Sequence, residues 1–188
     1  MIFLNRKEKQ EGMRLLAYID DLQIDKVKEM LNSGVKPTQK RSLFQSLESP
    51  LVRSVRMKSL ELVNLLLSYG APTDERGKSG CTALELACFL EQPEIVKQLL
   101  EYKADVSFFH KKVYYMDAAR YYQNEQIIKL LLAHQADPTL LLQTHYFRMP
   151  SNILELLIKN SKNVPEDILI ILEHRKAIEL NQQSKYLD

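Results

Sequence analysis

An eleven-residue pattern returns four times along this chain, and that periodicity constrains the fold more than any other feature. The copies are Val27-Lys-Glu-Met-Leu-Asn-Ser-Gly-Val-Lys-Pro, Val63-Asn-Leu-Leu-Leu-Ser-Tyr-Gly-Ala-Pro-Thr, Val96-Lys-Gln-Leu-Leu-Glu-Tyr-Lys-Ala-Asp-Val and Ile128-Lys-Leu-Leu-Leu-Ala-His-Gln-Ala-Asp-Pro. Their first residues recur at a period of 32 to 36 positions. A repeat of that length is one supersecondary unit, which buries its apolar face only by stacking on its neighbours.

Within each copy, apolar residues at i, i+3 and i+4 (Val63, Leu66 and Leu67; Val96, Leu99 and Leu100) make one face of a helix. Gly34 and Gly70 stand where a helix ends in a left-handed residue. Lys103 and Gln135 hold that place in the later copies and predict a small strain. Nine residues before each anchor come Tyr18, Ser54, Ala87 and Ala119, the centres of a first helix whose small residues permit close approach. Ser49-Pro50 predicts a start for one of these, with Ser49 as cap and Pro at the first position.

Thr82-Ala-Leu-Glu-Leu-Ala followed by Pro93-Glu-Ile-Val-Lys-Gln-Leu-Leu resembles the ankyrin repeat, whose opening reads Thr-Pro-Leu-His-x-Ala at a period near 33 residues. The resemblance covers 12–36, 46–72, 79–105 and 111–137, after a lead-in over 1–11. It implies an all-α solenoid of stacked helix-turn-helix units. No copy keeps the His that ties down its own turn, so softer repeats are expected. A shortened fifth repeat is expected over 140–163, with Leu154 as anchor. An amphipathic capping helix over 164–182 and a polar tail over 183–188 follow.

Of 188 residues, 45% are hydrophobic and 27% charged, with a net charge of +2, the balance of a soluble globular protein. Five Gly and seven Pro are too few for a turn-rich β fold. No apolar run is long enough to span a bilayer, and Met1 to Leu4 followed by charges lacks the apolar core of a secretory signal. A cytoplasmic protein is expected, or one in a host cytosol if it is a translocated or viral effector, which the Lys-, Asn- and Ile-rich usage suits. Cys81 and Cys88, two turns apart in one helix, are separated by roughly 10 Å, and a disulfide needs about 7 Å or less. Reduced thiols are therefore expected.

The resemblance also implies where a partner protein binds: a concave face built from the first helices and turn tips. The positions after the first helices are Asp20, Asp21, Arg56, Met57, Phe89, Leu90, Tyr121 and Tyr122. Those at the turns include Gln45, Ser46, Lys78, Ser79, Cys81, His110, Lys111 and Val113. Aromatic, Met and Arg side chains are enriched in interface cores, which points to Phe89, Leu90, Tyr121 and Tyr122 as anchors, unless they pack on the next helix pair. Long connections are second candidates: 36–47, and 106–113 with its Phe108-Phe109 pair. A monomer is expected, with self-association through an aromatic patch as the alternative.

Catalysis finds no support in these residues. His110, His134, His145 and His174 are scattered, without metal-ligand spacing. Gly77-Lys-Ser-Gly80 lacks the upstream Gly of a phosphate loop. Neither a cofactor nor a metal is expected. Two alternatives stay open. Lys36, Lys40, Arg41, Arg53, Arg56 and Lys58 against Glu48 alone form a basic 36–58 segment able to meet nucleic acid or anionic lipid. Val164-Pro-Glu-Asp-Ile-Leu-Ile-Ile-Leu resembles the start of an F-box, which implies recruitment of a ubiquitin ligase.

Overall fold

The computed structural model describes residues 6–38, 48–106, 124–139, 142 and 146–184. Among these the regular elements are helical, as the 3.6-residue periodicity requires. The chain divides into two compact units, 1–105 and 106–188.

In the first unit three helical hairpins follow one another: α1 (Arg6–Asp20) with α2 (Ile24–Asn32), α3 (Pro50–Arg56) with α4 (Leu60–Ser68), and α5 (Ala83–Phe89) with α6 (Pro93–Glu101). Each first helix packs on its own second helix. First helices also pack on first helices, and second on second, so the unit is two helical layers. The repeating anchors fill the space between them. Val63, Leu66, Val96 and Leu99 are fully buried, as are Ser54 and Ala87 at the tight first-helix positions. Full burial of such an aliphatic side chain contributes about 1.5–3 kcal/mol.

Each of these six helices ends the same way, and α7 of the second unit (Glu125–Ala133) joins them. At the end of α6, Lys103 N–H donates to Leu100 O and Ala104 N–H to Leu99 O, the paired bonds of a Schellman motif. The left-handed residue is Leu22, Gly34, Lys58, Gly70, Glu91, Lys103 or Gln135. Only two of these seven are glycine. Lys103 and Gln135 behave as their alignment predicted, whereas Leu22, Lys58 and Glu91, which close the first helices, carry no sequence signature for the conformation. A side chain at positive φ costs about 1–2 kcal/mol, part of which glycine returns through unfolded-chain entropy. Glu91→Gly and Lys103→Gly are therefore each expected to stabilise the protein by about 0.5–1 kcal/mol, read as a higher urea midpoint.

Two helix starts differ instructively. Thr82 Oγ1 accepts from Glu85 N–H (3.2 Å) while Glu85 Oε2 accepts from Thr82 N–H (2.7 Å), a closed capping box. Glu85 thus ties down the turn that the missing His was expected to leave soft. Ser49 sits at the cap position with Pro50 behind it, but its buried hydroxyl makes no capping bond and finds no partner among the described residues. Cys81 precedes the Thr82 cap, so the two cysteines do not share a helix as expected; neither is in a disulfide. Burial, reinforced by nearby Glu85, pushes the Cys88 thiol far above its ordinary value, which leaves it unreactive.

The second unit holds α7, a 3-10 turn (Tyr146–Arg148), α8 (Ser151–Lys159) and α9 (Glu166–Ser184). Asn124 caps α7 by accepting from Ile127 N–H, and residues 111–123, where the fourth repeat's first helix is expected, lie outside the described residues. Leu154 is fully buried, as its anchor role requires. Helix α8 packs on α9, and Arg175 of α9 donates to the carbonyls of Met149 (2.7 Å) and Phe147 (2.8 Å). Two boundaries differ from expectation: α1 begins at Arg6, within the lead-in, and α9 runs on to Ser184. Nor is α9 amphipathic in the expected sense. Ile168 and Leu172 are buried, while Leu169, Ile170, Ile178 and Leu180 are exposed on other sides. No described helix is long and apolar enough to cross a membrane.

Candidate protein-binding surface

The last turn of each first helix sets the surface positions by register. Helix α3 ends at Arg56 with Met57 after it, and α5 ends at Phe89 with Leu90 after it. Because α3 packs beside α5, Met57 and Leu90 hold equivalent places in successive repeats. Both are half-buried, as is Phe89, and Arg56 is exposed. Lys78 is exposed in the turn between α4 and α5. That turn is closed by Gly77 N–H donating to Cys81 O (2.8 Å) and by Arg76 donating to Gly80 O (2.6 Å). Phe108, Phe109, His110, Lys111, Tyr121 and Tyr122 lie outside the described residues, as do Gln45 and Ser46.

One carboxylate organises the described part of this surface. Glu48, 6% exposed, accepts from Lys78 N–H through Oε1 (3.0 Å). Its Oε2 lies 3.7 Å from the Arg56 guanidinium and 3.9 Å from that of Arg53. Arg53 in turn makes a two-pronged pair with Asp20 at the end of α1, one prong being 2.7 Å. Glu48 therefore brings the helix-end Arg56 and the turn residue Lys78 together. The backbone at residue 77 approaches so closely that a Cβ there would lie 2.2 Å from Glu48 Oε1 and 2.8 Å from Val52 Cγ1. Glycine at 77 is a requirement of that approach.

Sequence reasoning counted Glu48 only as the lone anion of a basic segment and passed over Gly77 as a turn residue. The signal was present: one carboxylate among six cations is a natural hub. The network also changes the weight of that segment, since Arg53 and Arg56 already face carboxylates. In the F-box-like stretch, Ile168 and Leu172 are buried within the unit, so that face of the helix is in use. Among the described residues no group of three His, Cys, Asp or Glu side chains is placed to hold a metal.

The hydrogen bond from Arg53, aided by its charge and opposed by partial burial, holds the Asp20 carboxyl below its ordinary value. A depressed folded-state value means a contribution present above the unfolded value, about 3.9, and lost as pH falls through the folded one. Asp20→Asn is therefore expected to flatten the loss of stability below about pH 4, seen in urea midpoints measured from pH 6 downward. An unchanged slope would show the pair contributes nothing.

The stacked hairpins are accompanied by a family match: the model of ankyrin repeats fits residues 15–110 in three copies, just over half of the chain. This chain is an ankyrin-repeat protein. The matched span runs from within α1 through α6, and the opening motif falls on the capped start of α5. No curated protein matches the sequence. Ankyrin repeats generally mediate protein–protein interaction, and ankyrin-repeat proteins are generally non-catalytic.

Proposed function

We propose that this ankyrin-repeat protein is a non-catalytic binding module that engages a partner protein along the ends of its first helices and the adjoining turns. The observation that carries the reading is the equivalent placement of half-buried Met57 and Leu90 in successive repeats, beside Phe89 and the Glu48-held Arg56 and Lys78. Half-buried apolar groups in rigid register give a partner contact area without ordering cost, and flanking cations set orientation. Tyr121, Tyr122 and residues 108–111 lie outside the described residues and enter the proposal from their alignment in the sequence alone. The effector role in a host cytosol belongs to the same proposal and rests on composition.

The test compares capture from a cell lysate by wild type and by Phe89→Ala/Tyr121→Ala, followed by titration of the retained protein. Hot-spot truncations of this kind cost about 2 kcal/mol or more, so affinity is expected to fall at least about 30-fold with helicity unchanged. Equal affinity in a folded variant sinks the proposed surface. A partner whose binding weakens steeply with added salt and survives as free nucleic acid would instead favour the basic segment.

A further inference from the structure

Helix α9 carries more apolar surface than its own unit covers. Leu169 is 41% exposed, Ile170 60% and Leu180 66%, and Ala177 is exposed too. Single exposed apolar residues are ordinary, but these fall in register. Leu169, Glu173, Lys176 and Leu180 are spaced four, three and four apart, which makes one continuous seam along a helix, with Ile170 and Ala177 beside it. The buried residues Ile168 and Leu172 lie on the side turned to the unit, and Ile178 falls outside the seam.

The order Leu, Glu, Lys, Leu is its own complement when reversed. Laid antiparallel on a second α9, Leu169 meets the second copy's Leu180, and Glu173 meets the second copy's Lys176. Laid parallel, Glu173 would face Glu173 and Lys176 would face Lys176. Apolar contacts thus supply the attraction and the charges select the orientation. Lys176 is held for this role, since its Nζ lies 2.7 Å from Glu155 Oε1 on α8. In the pair it stands between two carboxylates.

We propose that the occupant of this face is a second copy of the chain, joined through an antiparallel α9–α9 contact about a two-fold axis. Such an interface is isologous and closes at a dimer, so two partner-binding surfaces are carried by one particle.

Sedimentation equilibrium of the full-length chain tests this. Wild type is expected to dimerise, and Leu169→Glu/Leu180→Glu to be monomeric with unchanged helicity. Glu173→Lys alone and Lys176→Glu alone should each weaken the dimer by about tenfold or more. In a Glu155→Gln background, where residue 176 has no like-charged neighbour, the double swap Glu173→Lys/Lys176→Glu should recover that background's affinity to within about threefold, which loss of a merely structural contact does not predict. A wild type that stays monomeric up to about 1 mM overturns the pairing and leaves the face to a different protein. So does a dimer indifferent to Leu169→Glu/Leu180→Glu, or a double swap without recovery.

Discussion

Leu66→Ala should remove about 2–5 kcal/mol of folding stability, the largest effect expected from a single substitution here. Leu66 is fully buried in α4, the middle helix of its layer, which packs on α3, α2 and α6. Its side chain therefore serves the interior of one repeat and the interfaces with both neighbours. In a stacked array stability is a sum of repeat terms and nearest-neighbour terms, and a central deletion weakens both kinds together. The cavity has few ways to collapse, because Leu62, Val63 and Leu67 around it are themselves buried. Urea unfolding followed by circular dichroism measures the loss. Leu60→Ala, on the exposed side of the same helix, is the control and should cost under about 1 kcal/mol. Similar midpoints for the two variants would mean that the layers are not packed as described.

Gly77→Ala is expected to destabilise by about 1–3 kcal/mol, although it adds one methyl group to a surface turn. The new Cβ would meet Glu48 Oε1 and Val52 Cγ1 well inside contact distance. Either the carboxylate moves, and Lys78 N–H loses its acceptor, or the turn shifts away from α3. Both changes displace Lys78 from the proposed partner surface, so affinity for the captured partner should fall as well. The effect depends on Glu48, which makes it separable from ordinary glycine entropy. In a Glu48→Ala background the nearer of the two clashes is gone and only that with Val52 remains, so the same substitution should cost less by about 1 kcal/mol or more. Equal costs in the two backgrounds would falsify the close approach of Glu48 to the turn. Gly70→Ala provides a contrast: its φ of 78° gives backbone strain, but nothing lies within 4 Å of the added Cβ. Its cost should be indifferent to Glu48.

Much of the fold was legible because helix periodicity is a local property. Val27, Val63, Val96 and Ile128 announced the second helices, and all four are buried where the spacing placed them. The ends of those helices were legible too, since Gly34 and Gly70 marked the left-handed position and alignment carried it to Lys103 and Gln135. The first-helix ends were not. Leu22, Lys58 and Glu91 adopt the same conformation without a residue that favours it, because the paired Schellman bonds and the packing of the next helix impose it. In the third repeat the start of the first helix is held by the capping box between Thr82 and Glu85, and Thr82 three residues before the carboxylate was the visible signal. At the C-terminus the apolar residues of α9 promised a simple cap, but their spread around the helix leaves Leu169, Ile170 and Leu180 uncovered.

By itself the sequence determined the period, the hairpin as its unit, the all-α class and the membership in the ankyrin family. Each follows from which residues recur at what spacing, and chain neighbours are enough to enforce that. Only the tertiary structure decided how the surface is held. Glu48 reaches a backbone amide thirty residues ahead, and Asp20 pairs with a guanidinium thirty-three residues ahead. Contacts of that range depend on which repeat sits beside which and on how closely Gly77 lets them approach. Spacing along the chain carries no such information, whereas packing between the layers does.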